Sequence, residues 1–277
     1  MAGVRVAFQG EPGAYSEEAA IWLCGEVDTV PCHLLADVFE AVAAGRADRG
    51  VVPVENSQAG TIHETYDLLL AHRLVIVAEC DLRVSHCLIA LPGQTLADIR
   101  QAYSHPQALA QCDRYLRGIG VEPVAFYDTA GSAKMIREQL RAGAAAVASR
   151  RAAEIYALAI LASGIETNRH NYTRFLGIGK AAAPRTGPSR TSVVFVVQNR
   201  PGTLHRVLGE LAARQINMTK IESRPLRVRT WEYVFYMDFD GHADDANVRA
   251  ALDEMRPHTS TLRVLGSYAR AAAPAAP

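Results

Sequence analysis

The sequence predicts an α/β protein in two parts: a two-lobed first part and a ferredoxin-like second part. Over the first 180 residues, short β-rich runs alternate with helical runs, which is typical of sheets covered by crossover helices. This alternation restarts near residue 83, which indicates two lobes with a ligand cleft between them. After residue 190 the order changes to β-α-β-β-α-β within about 80 residues, the order of the split βαβ fold.

The first lobe begins with an alternating apolar strand, and a helix follows from about Ser16. The segment DVFEAVAAG predicts a helix with Asp37 as its N-cap and Glu40 completing a capping box. GVVPVEN is an apolar strand, and TIHETYDLLLAH is an amphipathic helix in which Thr61 can act as the N-cap. The long apolar run LVIVAECDLRVSHCLIAL predicts two strands that separate near residues 81 to 85.

The second lobe starts with the strand IRQAYSH and the helix PQALAQCDRYLRGIG, for which Ser104 is a candidate cap. KAAAPRTGPSR holds two prolines and a glycine without apolar periodicity, so it predicts a linker. The expected boundaries are 1–82 and 160–180 for lobe one, 83–159 for lobe two (together the first domain, 1–180), 181–190 for the linker, 191–269 for the ferredoxin-like domain and 270–277 for a disordered tail.

Composition excludes several classes of protein. Lys plus Arg and Asp plus Glu are equal at 29 each, so nothing indicates nucleic-acid or membrane-surface binding. No run approaches the ~18 apolar residues of a spanning helix, and no apolar signal core opens the chain, which predicts a cytoplasmic location. The five cysteines are scattered without a C-x-x-C pair, which argues against zinc and a disulfide framework.

Three polar segments are candidates for the cleft. FQGEPGAYS places two glycines and Ser16 at a strand-to-helix turn, where backbone N–H groups can bind an anion; a plain tight turn explains it equally well. The spacing is not G-x-G-x-x-G, so a dinucleotide is not indicated. In PVENSQAGTIHET, the side chains of Glu55, Asn56 and Ser57 follow an apolar strand, where α/β proteins place their sites. In SHPQA, Gln107 could face the cleft, although an ordinary helix start is a slightly better explanation.

Four histidines are candidate acid–base groups, since only histidine titrates near neutrality without perturbation. No spacing pairs them with carboxylates in a ligand pattern, and each is explained as well by a surface or hydrogen-bonded role. They are His63, His86, His105 and His170.

Two further segments combine residue types in unusual ways. NYTRFLGIG places Thr173, Arg174 and Phe175 in a row, which suits neither a core strand nor a solvent loop. In the C-terminal part, the loop NRPGTLHRVL leads into a helix whose N-terminus could receive a carboxylate. IESRP ends a strand with Glu222 and Ser223, and the two segments together suit a zwitterionic amino acid, although a hairpin rim is the simpler alternative.

These segments together resemble a known family. PVENSQAGTIHETYDLL, SHPQALAQC, NYTRFLGIG and GTLHRVLGELAARQINMTKIESRP are similar to the monofunctional prephenate dehydratases with a C-terminal ACT regulatory domain. The likeness covers nearly the whole chain in order, and TRF and ESRP together make it specific.

The resemblance implies that the protein converts prephenate to phenylpyruvate in phenylalanine biosynthesis, without cofactor or metal. It implies two lobes of the periplasmic-binding-protein type, an ACT domain that binds phenylalanine and lowers activity, and a homodimer or homotetramer. The implied catalytic residues are Thr173, Glu55, Asn56 and Gln107; the substrate-binding residues are Ser16, Ser57, Arg174 and Phe175; the phenylalanine-binding residues are Gly202, Leu204, Asn217, Glu222 and Ser223. The sequence departs from the family's usual G-A-L loop, because Thr203 follows Gly202.

The chemistry of prephenate assigns tasks to these residues. Its two carboxylates need anchoring, for which Arg174 is a candidate because guanidinium binds carboxylate bidentately. Its ring hydroxyl must leave as water, and Thr173 is the expected hydrogen-bond donor to it. Glu55 would supply a proton if burial raised its pKa. Two alternatives remain at this point: an arogenate dehydratase, and a non-catalytic binding protein that senses an amino acid.

Overall fold

The computed structural model describes residues 3–226 and 233–271. The strands are β1 (Arg5–Gln9), β2 (Asp28–Cys32), β3 (Arg49–Asn56), β4 (Gly60–Thr61), β5 (Val75–Arg83), β6 (Cys87–Ala90), β7 (Gln101–Ser104), β8 (Glu122–Ala125), β9 (Ala144–Ala148), β10 (Ala159–Ser163), β11 (Tyr172–Gly179), β12 (Ser189–Val196), β13 (Met218–Pro225), β14 (Tyr233–Asp240) and β15 (Thr261–Ala269). The helices are α1 (Tyr15–Cys24), α2 (Leu35–Ala43), α3 (His63–Ala71), α4 (Pro106–Gly118), α5 (Thr129–Glu138), α6 (Arg150–Ile155), α7 (Thr203–Ala212) and α8 (Ala246–Met255).

The described residues form two compact units, 3–65 with 80–175 and 66–79 with 176–271. In the first unit, one sheet has the strand order β2-β1-β3-β11-β5, with β4 paired to β3. Strands β5 and β11 contribute residues 80–83 and 172–175 to this unit. Strand β1 pairs parallel with β2 and β3, and β11 returns to this sheet from much later in the chain. This return places Thr173 beside the end of β3.

The second sheet of the first unit has the order β10-β6-β9-β7-β8. Every residue of β9, AAAVA, is buried, because apolar clusters cover the sheet on both faces. The two-lobed α/β architecture of the periplasmic-binding-protein type is therefore confirmed. Strand β10 pairs antiparallel with β6, so this lobe extends to Ser163, beyond the expected boundary at residue 159.

The second unit contains the order β-α-β-β-α-β, which confirms the ferredoxin-like prediction. Its antiparallel sheet has the order β13-β14-β12-β15, and α7 and α8 cover one face around Phe195 and Met237. Residues 66–79, which we expected to belong to lobe one, are part of this unit. Tyr236 donates from its hydroxyl to the carbonyl of Tyr66 at 2.9 Å.

Several helix starts differ from the predictions. Helix α2 begins at Leu35, so Asp37 lies in its first turn, where its carboxylate accepts from the N–H of Leu34 at 2.9 Å. The cap position of α1 is Ala14, so Ser16, near which we expected the helix to start, already lies inside its first turn.

Two other expected caps have different roles. The hydroxyl of Ser104 donates to the carbonyl of Val147 at 2.6 Å, and His105 caps α4 by accepting from the N–H of Gln107. Thr61 pairs with Glu55 in the β3–β4 ladder, and α3 begins two residues later. The Ser104 hydroxyl bonds a carbonyl of β9, and the Thr61 backbone belongs to the β3–β4 ladder, so neither residue caps the predicted helix.

The expected linker extends into a strand. Strand β12 starts at Ser189, inside the expected linker 181–190. Most of the expected tail, residues 272–277, lies outside the described residues. None of the helices in the described ranges is long and apolar enough to cross a bilayer. Within those same ranges, no group of three or more His, Cys, Asp or Glu side chains is arranged to hold a metal ion.

Candidate active site

A cavity of about 160 Å³ lies in the first unit between its two sheets. Both lobes contribute to its wall: β3 and β11 from one side, and the starts of α4 and α5 from the other. The lining residues are Tyr15, Asn56, Val84, His86, His105, Gln107, Ala108, Gln111, Asp128, Thr129 and Thr173. This is the cleft that the sequence predicted between the lobes.

Asn56 fixes the hydroxyl of Thr173. The Oδ1 atom of Asn56 accepts from the backbone N–H groups of Gln58 and Ala59 at 3.1 and 3.0 Å, which determines the orientation of its amide. Its Nδ2 therefore donates to Thr173 Oγ1 at 3.0 Å. Within the described parts of the chain, no other side chain is hydrogen-bonded to this hydroxyl. The proton of Thr173 is thus free to be donated into the cavity.

A chain of buried side chains continues from Asn56. Its Nδ2 also donates to Asn171 Oδ1 at 2.9 Å, and Asn171 Nδ2 donates to Gln111 Oε1 at 3.0 Å. His86 Nε2 lies 2.9 Å from the same Gln111 oxygen. His86 Nδ1 lies 3.1 Å from the hydroxyl of Tyr15. One connected network therefore joins α1, α4, β3 and β11 through His86 and Asn171, the residues that directly precede β6 and β11.

Burial shifts the pKa of three ionisable groups that line the cavity. It lowers the pKa of His86, which keeps the imidazole neutral near pH 7. It raises the pKa of Tyr15 well above its ordinary value, so this phenol remains a donor. It also raises the pKa of Asp128, whose carboxylate accepts from the N–H of Gly131 at 2.6 Å.

Helix N-termini supply the positive potential of the cavity. His105 and Asp128 occupy the cap positions of α4 and α5, and both line the wall with the first residues of their helices. The side chains of His105 and Asp128 already accept from the N–H groups of Gln107 and Gly131, so the helix dipole and the remaining N–H groups of each first turn are what can favour an anion here. The lining contains no lysine or arginine among the described residues, so N–H and O–H donors would have to hold a carboxylate here.

A wider cavity of about 550 Å³ adjoins the first and shares Gln107 and Gln111 with it. Its wall includes Gln58, Arg114 and Asn168. Four of its nine lining residues carry amides, and Asp113 and Arg114 add one carboxylate and one guanidinium.

The structure brings together three of the predicted residues, Thr173, Asn56 and Gln107, in the lining of one cavity. Ser57 lies outside it and joins β3 to β11: its hydroxyl accepts from the N–H of Tyr172 at 3.0 Å and donates to the carbonyl of His170 at 3.1 Å.

Four other predicted residues do not line this cavity. Successive side chains of a strand point to opposite faces. Glu55 and Arg174 therefore point away from the face that carries Asn56 and Thr173. Phe175 is 2% exposed and belongs to the apolar core of its lobe. Ser16 is buried in α1, and its neighbour Tyr15 is the residue that lines the wall.

The sequence did not single out Tyr15, Gln111 and Asn171, and it named His86 only as one of four histidines. The available signal was weak. Gln111 follows Gln107 by four residues, so both share a face of α4. Nothing local in the sequence relates either of them to Asn171.

The second unit has its own cavity of about 240 Å³, at the start of α7. Gly202 and Leu204 line it, and Gly202 adopts the left-handed φ of +81° that favours glycine. Asn217 donates to Asp240 Oδ2 at 3.1 Å, and it lies outside this wall. Glu222 and Ser223 lie in β13, also outside it.

The fold and the site define a two-lobed α/β protein with a polar cleft between its lobes and a ferredoxin-like second unit. The chain belongs to the prephenate dehydratase family: residues 6–183 match the family model "Prephenate dehydratase", and residues 191–256 match "ACT domain". It is therefore a dehydratase, a carbon–oxygen lyase, and the alternative of a non-catalytic sensor loses its support.

Similar proteins extend over nearly the whole chain. Arogenate dehydratase/prephenate dehydratase 2, chloroplastic, from Arabidopsis thaliana is 46% identical and covers 96% of this chain and 72% of its own. The structure of prephenate dehydratase in complex with L-Phe from Arthrobacter aurescens has a TM-score of 0.88 at 33% identity, covering 96% of this chain and 90% of that one. A structure of GqqA, described as a novel type of quorum quenching acylase, has a TM-score of 0.89 at 40% identity, covering 95% and 97%.

Proposed function

We propose that this enzyme catalyses the decarboxylative dehydration of prephenate to phenylpyruvate, the reaction that the sequence resemblance implies. The observation that carries the proposal is the orientation of Thr173. Asn56 Nδ2 occupies an acceptor position on its hydroxyl, so the hydroxyl proton is available to a group in the cavity. A reaction whose leaving group is a hydroxyl requires such a donor at the leaving oxygen.

The bonds and charges of this reaction balance in one step. The ring carboxylate leaves as carbon dioxide, and the electron pair of its C–C bond enters the ring. The ring then expels the hydroxyl at C4 and becomes aromatic; one proton converts the departing hydroxide to water. Thr173 stabilises the negative charge that develops on the leaving oxygen. A donor prearranged in this way lowers the activation barrier by about 3–4 kcal/mol, by analogy with oxyanion donors.

The substrate carboxylates are assigned to the starts of α4 and α5 instead of Arg174. The first turn of each helix carries partial positive charge and N–H groups besides those bonded to His105 and Asp128, and residues of both helix starts line the same cavity as Thr173. Arg174 points to the other face of β11, so the guanidinium clamp expected from the sequence is not part of this proposal.

The direct test is conversion of prephenate by the full-length protein, followed by the absorbance of phenylpyruvate in alkali. Arogenate is the alternative substrate, and the printed name of the Arabidopsis relative includes both activities. Competing the two substrates, with phenylalanine as the product from arogenate, separates them. Conversion of neither substrate would refute the proposed reaction.

Acyl-amide hydrolysis is a second candidate, because the chain is 40% identical to a structure described as an acylase. A threonine nucleophile needs a general base at its hydroxyl. Among the described residues, Thr173 receives a side-chain hydrogen bond only from the Asn56 amide, which cannot act as a base. Dehydration therefore has the stronger geometric support, and release of amine from an acyl amide would test the second candidate.

L-phenylalanine is the proposed effector of the second unit. The support is the cavity beside Gly202 and Leu204, together with the bound L-Phe named for the Arthrobacter aurescens protein. Asn217, Glu222 and Ser223 remain proposed contacts, to be completed by a second copy in the homodimer or homotetramer that the resemblance implies. Light scattering gives the oligomeric state, and calorimetry with L-phenylalanine on the wild type and on Leu204→Ala tests the site.

A cytoplasmic location remains our expectation from the sequence. The Arabidopsis relative is described as chloroplastic. Localisation of a tagged full-length protein in its own cell would decide this point.

A further inference from the structure

We infer that His86 is a positioning residue: the proton on its Nε2 supplies the donor that matches, and so stabilises, the direction of the hydrogen bonds that connect Gln111, Asn171 and Asn56 to Thr173. His86 reaches Thr173 only through these three amides. The inference rests on the proposed function for its kinetic consequence, but the direction of the hydrogen bonds can be tested without it.

The direction is fixed first at the Asn56 end. Two backbone N–H groups bind Asn56 Oδ1, so its amide cannot turn over without losing both of them. Asn56 Nδ2 must therefore donate to Asn171, which presents Oδ1 at 2.9 Å. This leaves Asn171 Nδ2 to donate to Gln111 Oε1 at 3.0 Å.

The direction then determines the tautomer of His86. Gln111 Oε1 accepts from Asn171 and lies 2.9 Å from His86 Nε2. An oxygen acceptor requires a donor there, so Nε2 carries the proton of the neutral ring. Nδ1 is then the acceptor, and the hydroxyl of Tyr15 lies 3.1 Å from it.

The groups around His86 are consistent with a neutral ring. The Tyr15 hydroxyl lies 3.1 Å from Nδ1 and 2.8 Å from the carbonyl of Ser85, and its single proton is shared between these two acceptors. Gln111 faces Nε2. The Glu166 carboxylate accepts from the backbone N–H of His86 at 2.9 Å and is the one charged group among these neighbours. Its charge favours the imidazolium, but desolvation of the ring, which is 2% exposed, is the larger effect.

The opposite tautomer would disturb every bond as far as Asn56. With the proton on Nδ1, Gln111 would have to turn its NH₂ toward His86, and Asn171 would have to turn its oxygen toward Gln111. Asn171 Nδ2 would then face Asn56 Nδ2, which places two donors against each other in a buried site. Such an unmatched pair is costly, and the Asn56 amide would shift from Thr173.

A pair of variants separates this role from simple packing. The Nε2 of a glutamine side chain reaches the same place as Nε2 of histidine, whereas the Nδ2 of asparagine corresponds to the nearer ring nitrogen. His86→Gln keeps the donor to Gln111, and His86→Asn removes it. We expect His86→Asn to lower kcat about tenfold or more, as for an unmatched buried hydrogen bond, with KM nearly unchanged, and His86→Gln to restore most of kcat. Equal kcat in the two variants, or a loss confined to KM, would overturn the inference.

The tautomer itself is visible by nitrogen NMR of ¹⁵N-histidine in the full-length wild type. The chain has nine histidines, and the signal missing from the His86→Gln spectrum identifies residue 86. We expect a protonated Nε2 and an unprotonated Nδ1 that persist through the ordinary histidine pKa of about 6.5. A proton on Nδ1, or an imidazolium at neutral pH, would overturn the inference even if the wild type dehydrates prephenate. A wild type that converts neither prephenate nor arogenate refutes the proposed function, and the NMR result then decides the hydrogen-bond direction alone.

Discussion

Asn56 Nδ2 donates a hydrogen bond of 3.0 Å to Thr173 Oγ1, and these residues are 5% and 8% exposed. They are 117 positions apart in the chain and meet because β11 returns to the sheet beside β3. The bond gives an otherwise ordinary threonine hydroxyl a defined polarity. The Thr173 hydroxyl accepts from the Asn56 amide and can donate its proton to a group in the cavity.

Removing the Thr173 hydroxyl should therefore reduce turnover without unfolding the protein. Thr173→Val keeps the shape of the side chain, and we expect kcat to fall about 10²-fold, the usual effect of losing one prearranged donor. Thr173→Ser keeps the hydroxyl and is the matched control, with kcat within a few-fold of wild type. Initial rates with prephenate measure both, and circular dichroism checks the fold. A valine variant as active as the serine variant would contradict this role.

The Asn56 amide can be changed into an acceptor by one substitution, Asn56→Asp. The carboxylate still accepts from the N–H groups of Gln58 and Ala59, so the turn remains. It presents an oxygen to Thr173, whose hydroxyl then turns away from the substrate to donate to it. We expect kcat to fall as far as in Thr173→Val. Asn247→Asp, on the exposed side of α8, is the control for the added charge, and unchanged kcat in Asn56→Asp would refute the orientation argument.

Stability should fall in mild acid because of His86. Its pKa is lowered in the folded protein, mainly by desolvation, whereas in the unfolded chain it lies at about 6.5. Below that pH the unfolded chain binds a proton that the folded protein does not. The free energy of unfolding therefore falls by up to about 1.4 kcal/mol per pH unit until the folded pKa is reached. Above the unfolded pKa of about 6.5, the contribution of His86 to stability is fully present.

Urea unfolding at two pH values, one above and one below this window, measures the effect. His86→Gln cannot titrate there, so its loss of stability between the two values should be smaller than that of the wild type. The difference between the two losses removes the contribution of the other histidines. Equal losses of stability in the wild type and in His86→Gln would show that His86 in the folded protein is protonated at the lower pH.

The sequence predicted the general position of the site but not its network. Asn56 could be named because polar residues at the end of an apolar strand are unusual, and Thr173 because of the unusual mixture of residue types around it and the family resemblance. Gln111 and Asn171 could not, because their contact joins a helix of one lobe to the residue before a strand of the other, 60 positions away in the chain. Which amides face each other depends on tertiary packing, which no local pattern contains.

The placement of Arg174 in the cleft was a wrong prediction that the sequence itself could have corrected. Thr173 and Phe175 are two apart in a strand, so they share a face, and Arg174 must point to the other. The two-residue period was therefore available in the sequence and argues against a guanidinium beside the hydroxyl. Segment 66–79 is different: α3 is amphipathic, but nothing in its sequence determines which core its apolar side joins.

Alanine at Gly202, the N-cap of α7, and alanine at Gly209, inside α7, should change the free energy of unfolding in opposite directions. Gly202 has a φ of +81°, which costs an L-residue about 1–2 kcal/mol, although the space around it is open. Gly209 lies inside the helix, with nothing within 4 Å of an added Cβ. Gly202→Ala should therefore lower the free energy of unfolding, and Gly209→Ala should raise it by about 1 kcal/mol. Thermal unfolding compares them; a stabilising Gly202→Ala would contradict the left-handed assignment.

The second unit contains a buried ion pair that should be important for its stability. Arg190 Nη1 lies 2.7 and 2.9 Å from the two oxygens of Glu79, whose side chain is 1% exposed. Removing the guanidinium leaves this carboxylate without its counter-charge, which typically costs about 3–5 kcal/mol. Arg190→Met should therefore shift the urea midpoint strongly. Arg117→Ala breaks an exposed pair of equal length with Asp113 and should cost about 0.5 kcal/mol or less.

The double variant Glu79→Gln with Arg190→Met distinguishes the ion pair from the packing of the arginine stem. It removes both charges, so no charged group is left buried and much of the loss should be recovered. The amide oxygen of the glutamine can still accept from the N–H of Ala271, which donates to Glu79 at 2.9 Å. If the double variant is as unstable as Arg190→Met alone, the loss comes from packing. If Arg190→Met is no less stable than Arg117→Ala, the pair contributes little, because its Coulomb attraction only offsets the desolvation of its two members.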